Sequence, residues 1–172
     1  MKSHVTIKQI QDLLLQGLET KFVDDETSRR MWYASLEVIQ KEFLIHNFHD
    51  GGIWVASPLP ALTEKKYITK LKGWLWSPKG FHYFQNDNAG FLPADQSINI
   101  KQDNNFVGNY KVLNLNPKDG YEPFLVVITP KFQCLLTIAG EKDKRILLMR
   151  CDQESLRIAI ELIDAKLCRE NY

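Results

Sequence analysis

From Thr6 onward, Ile7, Ile10, Leu13, Leu14 and Leu18 recur at helical spacing, and Thr6 stands where an N-cap belongs. Asp24 and Asp25 provide a turn and a cap for a second helix, with Met31, Trp32, Ser35, Leu36, Ile39 and Phe43 along one face. Two amphipathic helices in succession predict a helical hairpin, an arm over residues 1–45. Its apolar faces suit either docking on the rest of the domain or pairing with a second copy.

The pattern changes near His46. His49-Asp50-Gly51-Gly52 reads as a turn, and Ile53-Trp54-Val55-Ala56 as a short buried strand. After Pro58 and Pro60, Thr63 is placed to cap a short helix through Leu71, with Tyr67, Ile68 and Leu71 apolar. Trp74-Leu75-Trp76 and Phe81-His82-Tyr83-Phe84 are aromatic strand candidates around a Pro78-Lys79-Gly80 turn. Gln85 to Asn105 is rich in Asn, Asp and Gln and predicts a long irregular segment. Tyr110 to Leu115 alternates as a strand does.

Three further strands follow, at Pro123–Thr129, Phe132–Ala139 and Lys144–Met149, with a turn at Gly140-Glu141-Lys142-Asp143. Their short connections predict antiparallel neighbours. Asp152 then caps a last helix carrying Leu156, Ala159, Ile160, Ile163 and Leu167 as a stripe. The fold class expected is α+β: a mainly antiparallel sheet with two N-terminal helices and a C-terminal helix packed on it. Residues 1–172 read as a single domain, the arm followed by a core over residues 46–172.

Composition narrows the function classes. At 172 residues and 44% hydrophobic, the chain can bury a core without disulfides or metal. Lys and Arg total 22 against 21 Asp and Glu, and the basic residues are dispersed, which argues against a nucleic-acid partner. Cys134, Cys151 and Cys168 form no paired or finger spacing and read as small buried hydrophobes in a reducing compartment. Met1 to Thr6 is polar, and no apolar run is long enough to span a bilayer, so no membrane is expected and a cytoplasmic location is.

Candidate chemistry is sparse. There is no Gly-rich phosphate loop, GxSxG, HExxH or EF-hand pattern, so no catalytic residues are assigned. His46 and His49 with Asp50 offer two imidazoles and a carboxylate. The Asp50-Gly51-Gly52 break follows at once and no further ligand is nearby, so they read as polar surface histidines at a helix end and no metal is expected. The Asn/Asp stretches at 85–88 and 103–105 lack the alternation and closing Glu of a calcium loop. The densest aromatic region is the one candidate for a ligand wall. Trp54, Trp74 and Trp76, with Phe132, would line a planar ligand, and His82 would be its polar handle. Ordinary core and sheet surface explain the same aromatics. If Trp74 and Trp76 share a face, something must cover it: the N-terminal helices, a ligand or a partner.

The run from Phe124 to Leu136 (FLVVITPKFQCLL), followed by a turn, a strand and an Asp-started final helix, resembles the end of the DICT sensory domain. Pro58-Leu59-Pro60 to Trp74 is similar to a proline-bounded loop, helix and Trp-containing strand in the same inputs. The resemblance covers roughly Ile53 to Leu167. DICT domains occur in diguanylate cyclases and two-component sensor kinases, notably those of cyanobacteria. The resemblance implies a non-catalytic sensory or regulatory input domain in a signal-transduction pathway. Its partner would be a kinase, cyclase or regulator, and its ligand or cofactor is unknown. A protein-interaction adaptor without ligand, a homodimer through the N-terminal helices, and a small enzyme built around His82 are the competing expectations.

Overall fold

Phe124–Ile128 is apolar at every position, and Cys134–Ala139 at every position but Thr137, so both faces of these strands require cover. A computed structural model, which describes residues 7–17, 21–57, 61–62, 64–78, 110–115 and 122–170, provides it on both sides. The fold is α+β. In chain order it runs α1 (Ile7–Leu15), α2 (Asp25–Val38), a π-helical turn (Ile39–Leu44), α3 (Ile45–Asn47) and a 3-10 turn (Phe48–Asp50). Then come β1 (Ile53–Ser57), α4 (Lys65–Lys70), β2 (Lys72–Pro78), β3 (Tyr110–Leu115), β4 (Phe124–Ile128), β5 (Gln133–Glu141), β6 (Lys144–Arg150) and α5 (Gln153–Glu170).

The six strands form one sheet in the order β3-β2-β1-β4-β5-β6. The three expected C-terminal strands form an antiparallel meander, and β4 pairs antiparallel with β1. By contrast, β1, β2 and β3 run parallel to one another. The helix α4 lies within the crossover from β1 to β2, as a parallel connection requires.

The helices divide between the two faces. Trp32, Leu36, Ile39 and Leu44 from α2 and the π turn pack with Trp54, Tyr67, Leu125, Leu136 and Ile138 on one face. Ile7, Ile10 and Leu14 of α1 join Leu156, Ala159 and Ile163 of α5 over Val55, Trp76, Val126 and Leu135 on the other. The first two helices are therefore not a hairpin arm: they clamp the sheet from opposite sides. Alternation along β1 explains this, because Trp54 and Val55 point to opposite faces and each needs its own helix.

Local chemistry sets the ends. Asp24 caps α2, its Oδ1 accepting from the Thr27 backbone N–H at 2.7 Å. Asp152 Oδ1 accepts from Ser155 N–H at 2.9 Å at the start of α5. These N–H groups hold both carboxyls below the usual carboxylate range. Thr63 lies outside the described residues, and the residue at the start of α4 is Glu64, without a side-chain cap. Two side chains expected in the helical stripe of α2, Met31 and Phe43, are exposed. The π turn causes the second departure. Its wider winding rotates the phase, so Gln40 and Leu44 enter the core and Phe43 swings to the edge. Cys134 is buried as expected, whereas Cys151 is exposed.

Candidate functional site

The aromatic residues singled out from the sequence do not share a pocket. Trp54 is fully buried on the α2 face, where its indole lies across the backbone of Gly73. Trp76 is buried on the opposite face and meets Phe124 edge-on with centroids 6.3 Å apart. Trp74 packs at the margin of that second core. Phe132 sits at the β4–β5 turn, stacked on Phe43 at 4.6 Å. His82, with Phe81, Tyr83 and Phe84, lies outside the described residues, as do both Asn/Asp stretches. The face shared by Trp74 and Trp76 is covered by α1 and α5.

The two histidines of the 46–50 segment are exposed. His49 leans on Phe48 with centroids 3.9 Å apart, and Asp50 pairs with Lys131 at 2.9 Å. Among the described residues no group of three or more His, Cys, Asp and Glu is gathered closely enough to hold a metal ion.

Three polar features escaped the sequence reading. Gln11 is buried on α1, and its Nε2 donates to Ile138 O at 2.8 Å and Thr137 Oγ1 at 3.1 Å. It occupies the i+4 position of the Ile7, Ile10, Leu14 stripe, a phase that already marks it as inward. Gln40 lies in the π turn. Its carbonyl accepts from the Tyr67 hydroxyl at 2.6 Å, and its side-chain Oε1 from Glu64 N–H at 3.3 Å. A π turn carries no local sequence signature, so nothing along the chain marks this position. Arg145 on β6 donates to Asp25 at 2.6 Å, Glu122 at 2.7 Å and Gly140 O at 2.6 Å. Its backbone also bridges Val23 in both directions at 2.8 Å. The Arg145 hydrogen bond holds Asp25 below the usual carboxylate range.

Among the described residues, two places stand out. The first is a groove of about 120 Å³ between α1 and α5, walled by Ile10, Leu13, Leu14, Ile158, Ala159 and Leu162. Gln16 and Ser155 are its polar rim. It exists because Leu13 and Leu14 straddle the edge of the apolar stripe: Leu14 is 4% exposed and Leu13 is 40%. The second is the sheet edge where the three parallel strands end, at Ser57, Pro78 and Leu115. Ligands of open sheets gather at the carboxyl ends of parallel strands. Ser57 is 1% exposed, and its hydroxyl finds no hydrogen-bond partner among the described residues.

No helix among the described residues is long and apolar enough to cross a membrane. No curated protein and no solved structure matches the chain. One family, described as a domain of unknown function (DUF8628), matches residues 8–172. That span takes in every described element except the first residue of α1, and the chain belongs to the DUF8628 family.

Proposed function

We propose that the chain is a non-catalytic regulatory input domain that acts through a protein partner seated on the α1–α5 groove. The groove carries this reading. It is apolar and open to solvent, and it is formed by two helices that meet only along part of their length. A surface of that kind suits an apolar helix or strap from another protein better than it suits an enclosed small ligand. The resemblance of the C-terminal third to DICT domains supports the regulatory role. So does the electrostatics: the carboxyls held low at Asp24, Asp25, Glu37, Asp152 and Glu154 are all explained by helix caps and ion pairs.

Native mass spectrometry of the chain purified from its own host tests this, followed by photo-crosslinking from positions 13 and 158. A stoichiometric protein partner, crosslinked at the groove and not from the exposed position 30 on α2, is the expected result. A bare chain, or equal crosslinking from both places, overturns it. A second reading, a small-molecule ligand at the carboxyl edge of the parallel strands, is favoured by the buried hydroxyl of Ser57. In the same spectra it requires a low-mass adduct that Ser57→Ala removes.

A further inference from the structure

The pairing of β5 with β6 keeps a constant register through Leu135↔Arg150. One step further, that register sets Cys134 directly opposite Cys151. The kind of pair they form follows from the hydrogen bonds of the neighbouring strands. Arg145 directs both its N–H and its C=O outward to Val23, so it stands opposite Gly140 without hydrogen bonds between them. Ile138 likewise directs its N–H to Pro123, away from β6. Such positions alternate, and counting in twos from Ile138 and Arg145 reaches Cys134 and Cys151. The two cysteines therefore occupy a non-hydrogen-bonded site, where opposite Cα atoms approach to about 4.5 Å. A disulfide accepts Cα separations of roughly 4.4–6.8 Å. Both thiols are free, and Cys151 is near enough to Cys134 to act on its ionisation. Gln133 Nε2 donates to the Cys151 carbonyl at 3.3 Å and holds the end of β6 in place.

We propose that Cys134 and Cys151 are a reversible thiol–disulfide site, oxidised by peroxide across β5 and β6. The two sulfurs take different parts. Cys151 is exposed and meets the oxidant; Cys134 is buried beneath it in the α2-face core. Burial pushes the Cys134 thiol well above the ordinary range, and the neighbouring Cys151 adds to that, so Cys134 keeps its proton until the second step. The Cys151 sulfur attacks one peroxide oxygen, the O–O bond breaks, and the departing oxygen leaves as water with the thiol proton. Cys151 is then a sulfenic acid. The Cys134 sulfur attacks the Cys151 sulfur, the S–O bond breaks, and the hydroxyl leaves as a second water with the Cys134 proton. Two thiols and one peroxide give one disulfide and two waters. Because Cys151 directly precedes the Asp152 cap, the bond ties the start of α5 to β5. The disulfide site is set by the β5–β6 register and is independent of the groove.

The test is hydrogen peroxide titration of the full chain carrying Cys168→Ala, followed by alkylation, intact mass measurement and non-reducing peptide mapping. The expected product has lost two hydrogens, carries a Cys134–Cys151 crosslink and returns to the dithiol with dithiothreitol. Cys151→Ala should abolish the crosslink and leave Cys134 alkylated only after unfolding. Because Cys134→Ser risks the core, the exposed partner is the one to change. Accumulation of Cys151 sulfinic acid with Cys134 still a thiol would overturn the proposal. So would a wild-type crosslink that disappears in Cys168→Ala.

Discussion

On the α2 face, bulky aromatics and backbone-directed hydrogen bonds close the core. Trp54 lies over Gly73, Phe48 meets Tyr67 edge-on at 5.2 Å, and the Tyr67 hydroxyl reaches the Gln40 carbonyl. On the α1–α5 face the two helices bring mostly aliphatic side chains, with Gln11 as one buried polar tie, and they leave a groove between them. A face filled by rings that interlock with backbone has no room to admit a new group. A face made by two aliphatic helices can part or accept a third segment by small shifts. Under the proposed function, the α2 face holds the sheet and the α1–α5 face is the one that meets a partner.

The largest expected break in this contrast is at Gly73. A Cβ there would stand 2.2 Å from Trp54 Cε2 and 2.5 Å from Nε1, and Trp54 is fully buried. Gly73→Ala should lose about 3 kcal/mol in denaturant unfolding, at the top of the overpacking range. Adding Trp54→Phe should recover part of that loss, because the smaller ring vacates the site. Additive losses in the double variant would mean that the ring does not set the spacing. Leu14→Ala, in the opposite core, should lose about 2–4 kcal/mol by leaving a cavity.

Smaller effects separate the polar ties. Tyr67→Phe removes the bond to Gln40 O and should lose about 1 kcal/mol, since that carbonyl still accepts from Ile45 N–H. Asp25 sets an acid limb. Its folded carboxyl sits below its ordinary value of 3.8, so its contribution is present above that value and fades as pH falls through the folded one. Asp25→Asn should therefore flatten the fall in stability below about pH 4 seen by circular dichroism, and an unchanged slope would remove the Arg145 link as its cause.

Periodicity made most elements legible, because strands β4 to β6 and helices α1, α2 and α5 each carry their own apolar phase. The two-sided cover was foreshadowed by the unbroken apolar run Phe124–Ile128, yet that run does not say which helix takes which face. The parallel pairing of β1, β2 and β3 was hidden, since strand direction depends on distant partners and not on local pattern. The grouping of Trp54 with Trp74 and Trp76 failed for a related reason. Proximity along the chain does not determine which face each tryptophan meets across a crossover. Cys151 illustrates the same limit: its register against Cys134 is a property of the hairpin, invisible in the spacing of three cysteines.

The smallest expected stability effect is at the groove, and it tests the comparison most directly. Leu13 and Leu14 are neighbours on one helical turn, but 40% of Leu13 remains exposed against 4% of Leu14. Leu13→Ala should shift unfolding by less than about 0.5 kcal/mol, as surface substitutions do. The same change removes apolar wall from the groove and should weaken partner association measurably. If Leu13→Ala destabilises as much as Leu14→Ala, then Leu13 belongs to the core and the groove is a packing seam. If it leaves both stability and association unchanged, the exchange surface is elsewhere on the molecule, and the carboxyl edge at Ser57 becomes the place to look. There, Ser57→Ala should leave stability level or raise it slightly, because a buried hydroxyl without a partner contributes nothing that an alanine lacks.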